Sequence, residues 1–402
     1  MTASTHDTSA QRIYRPGGAS RLAALVAGVL LVLLAAQPVL ALSWGGQVRL
    51  SSEAVYRPQI LRTGPSRAIA LWQVGDQIKV RRTADGGTTW TSTVTVTSGI
   101  NLDFAASALG SKVDLAYTKK VRNSDGFVSI RLYYKRSEDG GATWQTATRL
   151  TSTTSRIMDQ DVSRAPNGRV SVVWTGYSTG NLYVRSSTDD GGSFGSARFV
   201  GHTTNWEPGR TVTYRSDPKI AIGTGVIYVA YTSARDTLAI RRSTNLGSSF
   251  SAATVLSTHA TDKPAMVASG SHAVIAYTST ASGAMKAMIR RTADKGAHWT
   301  ASKTITSHGT GQFSTTPQLA YRAGVLAVTF KAGTPGASPV WHKMSTDWSA
   351  TWTATRTKVS LVNDSTYEPE TAGVAILDTG HLVGISEHGR ATDDGLWVRR
   401  SR

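Results

Sequence analysis

Seven residues recur at matching places along the chain: Arg57, Asp103, Asp161, Asp217, Lys263, Thr316 and Glu368. Four are acids on an otherwise basic chain, and five precede a proline. Gathered around a narrow opening, like charges raise carboxylate pKa values, which suits general acid–base work. The competing reading is a water-filled channel whose acids balance against Arg57 and Lys263. The stretch His202–Asp217 is the richest in chemistry, with Trp206, Glu207, Arg210, Tyr214 and Arg215. An indole beside a carboxylate and arginines suits a sugar that carries an acid group. Further candidates are Lys119, Lys120 and Arg122, then Arg235-Asp236, Tyr367-Glu368 and Glu387-His388-Gly389-Arg390. Asp159-Gln160-Asp161 offers two carboxylates to a hard cation, but no histidine pair has ligand spacing. No metal and no cofactor is expected.

These residues need a scaffold, and a repeat supplies it. Thr83-Ala84-Asp85-Gly86-Gly87-Thr88-Thr89-Trp90 returns as octets beginning at Ser137, Ser187, Ser243, Thr292 and Ser345, 49 to 56 residues apart. The rule is Ser/Thr-x-Asp-x-Gly-x-Ser/Thr-aromatic, with Asn245 replacing Asp in the fourth copy. Such a period means stacked or radial units. Asp closes a tight turn by accepting N–H groups, Gly supplies positive φ, and the aromatic is an apolar anchor. Each interval holds four short β-rich runs parted by turn signals, as in Asp217 to Ser257, which predicts one four-stranded antiparallel blade. The second run ends on Trp72, Tyr117, Trp174, Tyr231, Tyr277, Phe330 and, last, Ile385. Core packing between blades is expected there, rather than a ligand-stacking ladder.

The third run appears seven times, from Ile78–Arg82 to Leu396–Arg400, and the chain stops where a seventh octet would begin. Ser43–Ser51 matches the run after each octet. The expected fold is therefore all-β: a seven-bladed propeller of four-stranded blades, closed by the N-terminal strand joining the last blade, and unfolding as one unit.

The octet resembles the Asp box of the sialidase-type β-propellers, over nearly all of the chain after residue 42. The resemblance implies that the box is a structural hairpin away from the catalytic side. It also implies a site of three arginines, a tyrosine–glutamate nucleophile pair and an aspartate acid/base. Arg57, Arg215 and Arg390 would stand for the arginines, Tyr367 and Glu368 for the pair, and Asp76 for the acid. Tyr56-Arg57-Pro58 lacks the family's residue between Arg and Pro, and Gln73 stands where the acid is expected. The leading expectation is accordingly a binding module, with a sialidase-like glycoside hydrolase as the alternative.

Composition sets the rest. The 402 residues contain no cysteine, so disulfides and thiolate sites are excluded. Residues 1–41 have Arg12, Arg15 and Arg21 before an apolar run, Leu22 to Ala36, then Val39-Leu40-Ala41. That is the pattern of a secretory signal peptide cleaved before Leu42. An uncleaved anchor is the alternative, though the run is short for a span. Residues 42–402 then form one secreted, extracellular domain, expected as a monomer without a membrane span. The net charge of +18 favours acidic partners. Much of it is written into the repeat: Arg81, Lys135, Arg185, Arg241, Arg290, Lys343 and Arg399 lie two residues before each box position, and Arg82, Arg136, Arg242, Arg291 and Arg400 one before. One reading lays their stems on aromatics with heads in water; the other is a belt for acidic polymers. The expected partner is an extracellular glycan or acidic polymer, with nucleic acid suggested by charge alone.

Overall fold

A computed structural model describes residues 42–124, 126, 128–152, 156–177, 179–203, 216–234, 236–305, 309, 311–334, 338–360, 368–388 and 395–401; the side chains of 101–102, 262–263, 368–372 and 385–388 are not described. The 28 strands form seven sheets of four. Blade one is Tyr56–Arg62, Ala68–Val74, Gln77–Thr83 and Val94–Thr97. Blades two to six repeat this meander, with first strands Ile100–Leu109, Ile157–Arg164, Lys219–Gly223, Ala260–Ser269 and Phe313–Arg322. Blade seven takes Glu368–Leu377, Gly380–His388 and Gly395–Ser401, and its outer strand is Trp44–Ser51. Trp44 pairs with Ser401 and Val48 with Val398. The expected closure is present.

The apolar residues collect in seven clusters, each shared by adjoining blades. Ile69, Leu71 and Val80 of blade one meet Phe104, Leu115 and Tyr117 of blade two. Leu50 of the closing strand joins Trp72 of blade one and Leu396 of blade seven. Trp72, Tyr117, Trp174, Tyr231, Tyr277 and Phe330 are all buried, as core packing requires.

Each box is a closed hydrogen-bond set. Asp85 Oδ1 accepts from the Thr88 and Thr89 amides at 3.0 and 2.9 Å, and Thr89 Oγ1 donates to Asp85 Oδ2 at 2.6 Å. Burial pushes this carboxyl up, but the bonds from Thr89, Thr83 and Thr88 outweigh it and hold it at about 2. Asn245 keeps the turn: its Oδ1 accepts the Ser249 amide at 3.0 Å and its Nδ2 donates to Ser249 Oγ. At Gly87, φ is 91° and an added Cβ would stand 2.5 Å from Leu382 Cδ2. Turn geometry and the adjacent blade both demand glycine. The sixth box holds Ser349 in the corresponding place at φ 69°.

Many of the repeat's cations tie blades together. Of the residues two before the box, four reach back: Lys135 to Val96 O at 2.9 Å, Arg185 to Leu150 O at 2.5 Å, Lys343 to Ile305 O, and Arg399 to Val359 O. Arg81 and Arg241 instead bond Thr93 Oγ1 at 2.9 Å and Ser251 O at 2.8 Å within their own blades. Residues one before reach forward to the next box: Arg136 to Asp190 O, Arg242 to Lys295 O at 2.8 Å, Arg291 to Asp347 O at 2.9 Å. Arg400 crosses the closure to Thr88 Oγ1 at 2.6 Å, and Arg399 also donates to Gly45 O at 2.8 Å. Opposite faces of one strand thus hold opposite neighbours.

Buried polar groups also sit in the seams. Between blades two and three, Arg164 bonds Asp114 at 2.6 and 2.8 Å and Asp190 at 2.6 Å, and Lys112 meets Asp190 at 2.6 Å. Both Arg164 and Asp114 are buried. Near the closure, His381 Nδ1 and His342 Nε2 are 3.0 Å apart, and the Trp44 ring packs edge-on against His342.

Candidate functional site: the mouth of the central channel

The first strands of all seven blades line a central channel of ≈ 1160 Å³. At their start the ladders slip. Tyr56 faces Gln73 and Gln59 faces Leu71, so Arg57 and Pro58 together oppose Trp72 alone. Blades two, three, five and six show shifts in the same place. A bulge of this kind re-aims a side chain. In blades one, five and six the break contains Pro58, Pro264 and Pro317, which have no N–H to give the ladder. Arg57, Asp217 and Thr316, each before a proline, have φ of 52°, 38° and 48°. A non-glycine residue held there costs roughly 1–3 kcal/mol and needs surrounding structure to hold it.

The charges around the mouth are paired between blades. Arg57 Nη1 lies 2.9 Å from Asp103 Oδ2, and the Phe104 amide donates to Asp103 Oδ1 at 2.8 Å. Asp161 Oδ2 accepts the Ile220 amide at 2.9 Å, and Lys219 Nζ stands 3.6 Å from Asp161 Oδ1. Asp217 also lines the channel. Asp103 and Asp161 thus sit beside cations, as the balanced-channel reading expects. The cation beside Asp161 is Lys219, which sequence reasoning did not single out.

Gln160 was also missed as an individual. It lines the channel with 5% of its surface exposed, and neither Oε1 nor Nε2 has a hydrogen-bond partner. A buried amide left so costs about 1–3 kcal/mol. Across the mouth, Tyr56 is exposed. Gln73 donates from Nε2 to Gly75 O at 2.7 Å, while its buried Oε1 has no partner. The only sequence signal for Gln160 is its place between Asp159 and Asp161.

Asp76 sits on an exposed turn, where its Oδ2 accepts the Gly99 amide at 3.0 Å and its carbonyl accepts the Ile100 amide at 2.9 Å. It pins the passage from blade one to blade two and is not among the channel-lining residues. Trp206, Glu207, Arg210, Arg215, Tyr367 and Arg390 lie outside the described residues, and the side chains of Lys263 and Glu368 are not described. Among the described residues, no three of His, Asp and Glu gather as metal ligands, and no helix is long and apolar enough to cross a membrane.

No protein-family model matches the sequence, and no curated protein does. Solved structures do match in shape. A polysaccharide lyase, PL25-Ulvanlyase bound to -[GlcA(1-4)Rha3S]-, gives a TM-score of 0.55 at 11% identity, covering 88% of this chain and 95% of that one. The intramolecular trans-sialidase from Ruminococcus gnavus in complex with oseltamivir carboxylate gives 0.51 at 11%, covering 72% and 92%. YCF48 bound to D1 peptide gives 0.50 at 12%, covering 89% and 95%. The fold is a seven-bladed β-propeller. At such identities the likeness is one of fold, and the site has to be read from its own residues.

Proposed function

We propose that residues 42–402 form a secreted propeller that binds an extracellular glycan, or another acidic polymer, at the channel mouth, after removal of residues 1–41. The observation that carries this reading is Gln160, a buried amide in the channel wall with both polar atoms unmet. Sugar hydroxyls would satisfy both ends of such an amide. Tyr56 offers a ring face, and Arg57 a guanidinium already oriented by Asp103. Support also comes from the lyase, bound to a glucuronate-containing chain, and the trans-sialidase. Nucleic acid is less favoured, because many of the repeat's cations are engaged between blades.

The test is a glycan array on residues 42–402, followed by affinity measurement on the best ligand. Gln160→Leu should weaken binding about tenfold or more without lowering the melting temperature. Unchanged affinity would remove the mouth from the reading. Turnover of a fluorogenic sialoside, abolished in Arg57→Ala, would replace binding by sialidase-like hydrolysis. A steep salt dependence with DNA would favour nucleic acid instead.

A further inference from the structure

A second cavity, of ≈ 510 Å³, opens between blades two and three and shares no residue with the channel. Its wall on blade three is aromatic. The rings of Trp174 and Tyr183 stack at 5.8 Å and 27°, and Phe199 abuts Tyr183 edge-on at 6.0 Å. Its wall on blade two is Arg149, Leu150 and Thr151. Arg185 spans the two, donating from Nη1 to Leu150 O at 2.5 Å, and its buried Nε has no partner. Among the described residues, the lining includes two arginines and no carboxylate. Blade two also stacks a tyrosine pair, Tyr117 on Tyr133, but there Lys119 lies over the Tyr117 ring.

We propose that this cleft is a second ligand site, for a pyranose carrying one anionic group, carboxylate or sulfate. The half-buried Tyr183 ring, backed by the buried Trp174, can receive the apolar face of a sugar ring, and the cleft's size suits one or two rings. Arg149 is exposed at the edge, so its guanidinium is available to take the anionic group in a forked pair. Arg185 stays tied to Leu150. A neutral sugar would leave the Arg149 guanidinium without an anionic partner, which makes the charge the selective element.

The experiment uses residues 42–402 carrying Gln160→Leu, so that the mouth contributes less. Glucuronate, glucose 6-sulfate and glucose are titrated separately, with ligand binding followed by saturation-transfer NMR. Glucuronate or glucose 6-sulfate should bind at least tenfold more tightly than glucose, and their ratio tells carboxylate from sulfate preference. Adding Arg149→Ala should abolish the preference; this side chain is exposed, so the fold should be retained, as a melting curve checks. Equal binding of all three sugars, or a preference that survives Arg149→Ala, would overturn the proposal. The wild-type chain keeps the two readings apart: a failed mouth site leaves wild type and Gln160→Leu alike, while a failed cleft leaves Arg149→Ala without effect.

Discussion

The Asp boxes and the channel mouth use the same positive-φ backbone for opposite ends. In the boxes, positive φ at Gly87 and Ser349 sets up turns whose donors and acceptors meet within a few residues. At the mouth, positive φ at Arg57, Asp217 and Thr316 comes with bulged ladders, and Gln160 remains unmet. A side chain that only served folding would have been cheaper as leucine in that place. The difference separates what holds the ring from what the ring holds open.

The comparison breaks first where a seam is cut. Arg164→Ala leaves Asp114 buried without its guanidinium. It should cost about 3–5 kcal/mol, read as a lower denaturant midpoint in a single transition. A loss below about 1 kcal/mol would mean that the seams are not where stability resides. Next comes acid. Burial lowers the His381 pKa to about 4, and burial together with His381 holds His342 well below its ordinary value. The unfolded chain therefore takes up protons first, from about pH 6.5 downward, and stability should fall between there and about pH 4. The His381 share is about 3 kcal/mol. His381→Phe should flatten that slope; an unchanged pH profile would show that the pair does not control it. The smallest effect has the opposite sign. Gln160→Leu should gain about 1–2 kcal/mol by removing an unmet amide, seen as a higher melting temperature. A loss there would erase the contrast between mouth and boxes.

The octets made the ring legible. Their spacing gave the blades, and the match between Ser43–Ser51 and the runs after each box gave the closure. Local hydrogen bonding is written within eight residues, so it can be read from one strand of text. The destinations of Lys135 and Arg242 could not be read that way, since Val96 and Lys295 belong to other blades. At the mouth, Arg57 stood out by its type and its proline. Gln160 did not, because an amide becomes informative only once its surroundings are known to lack a partner. Lys219 was hidden for a similar reason: its place beside Asp161 depends on the packing of blade four against blade three.

The closure also has a consequence in time. Arg399 donates to Trp44 O across 355 positions. During synthesis Trp44–Ser51 emerges before the other strands, while its mate, Gly395–Ser401, comes last. The earliest strand cannot dock until blade seven has been made. Until then its edge is open to the final blade of any neighbouring copy, which makes crowded synthesis the moment when two chains can exchange their first strands.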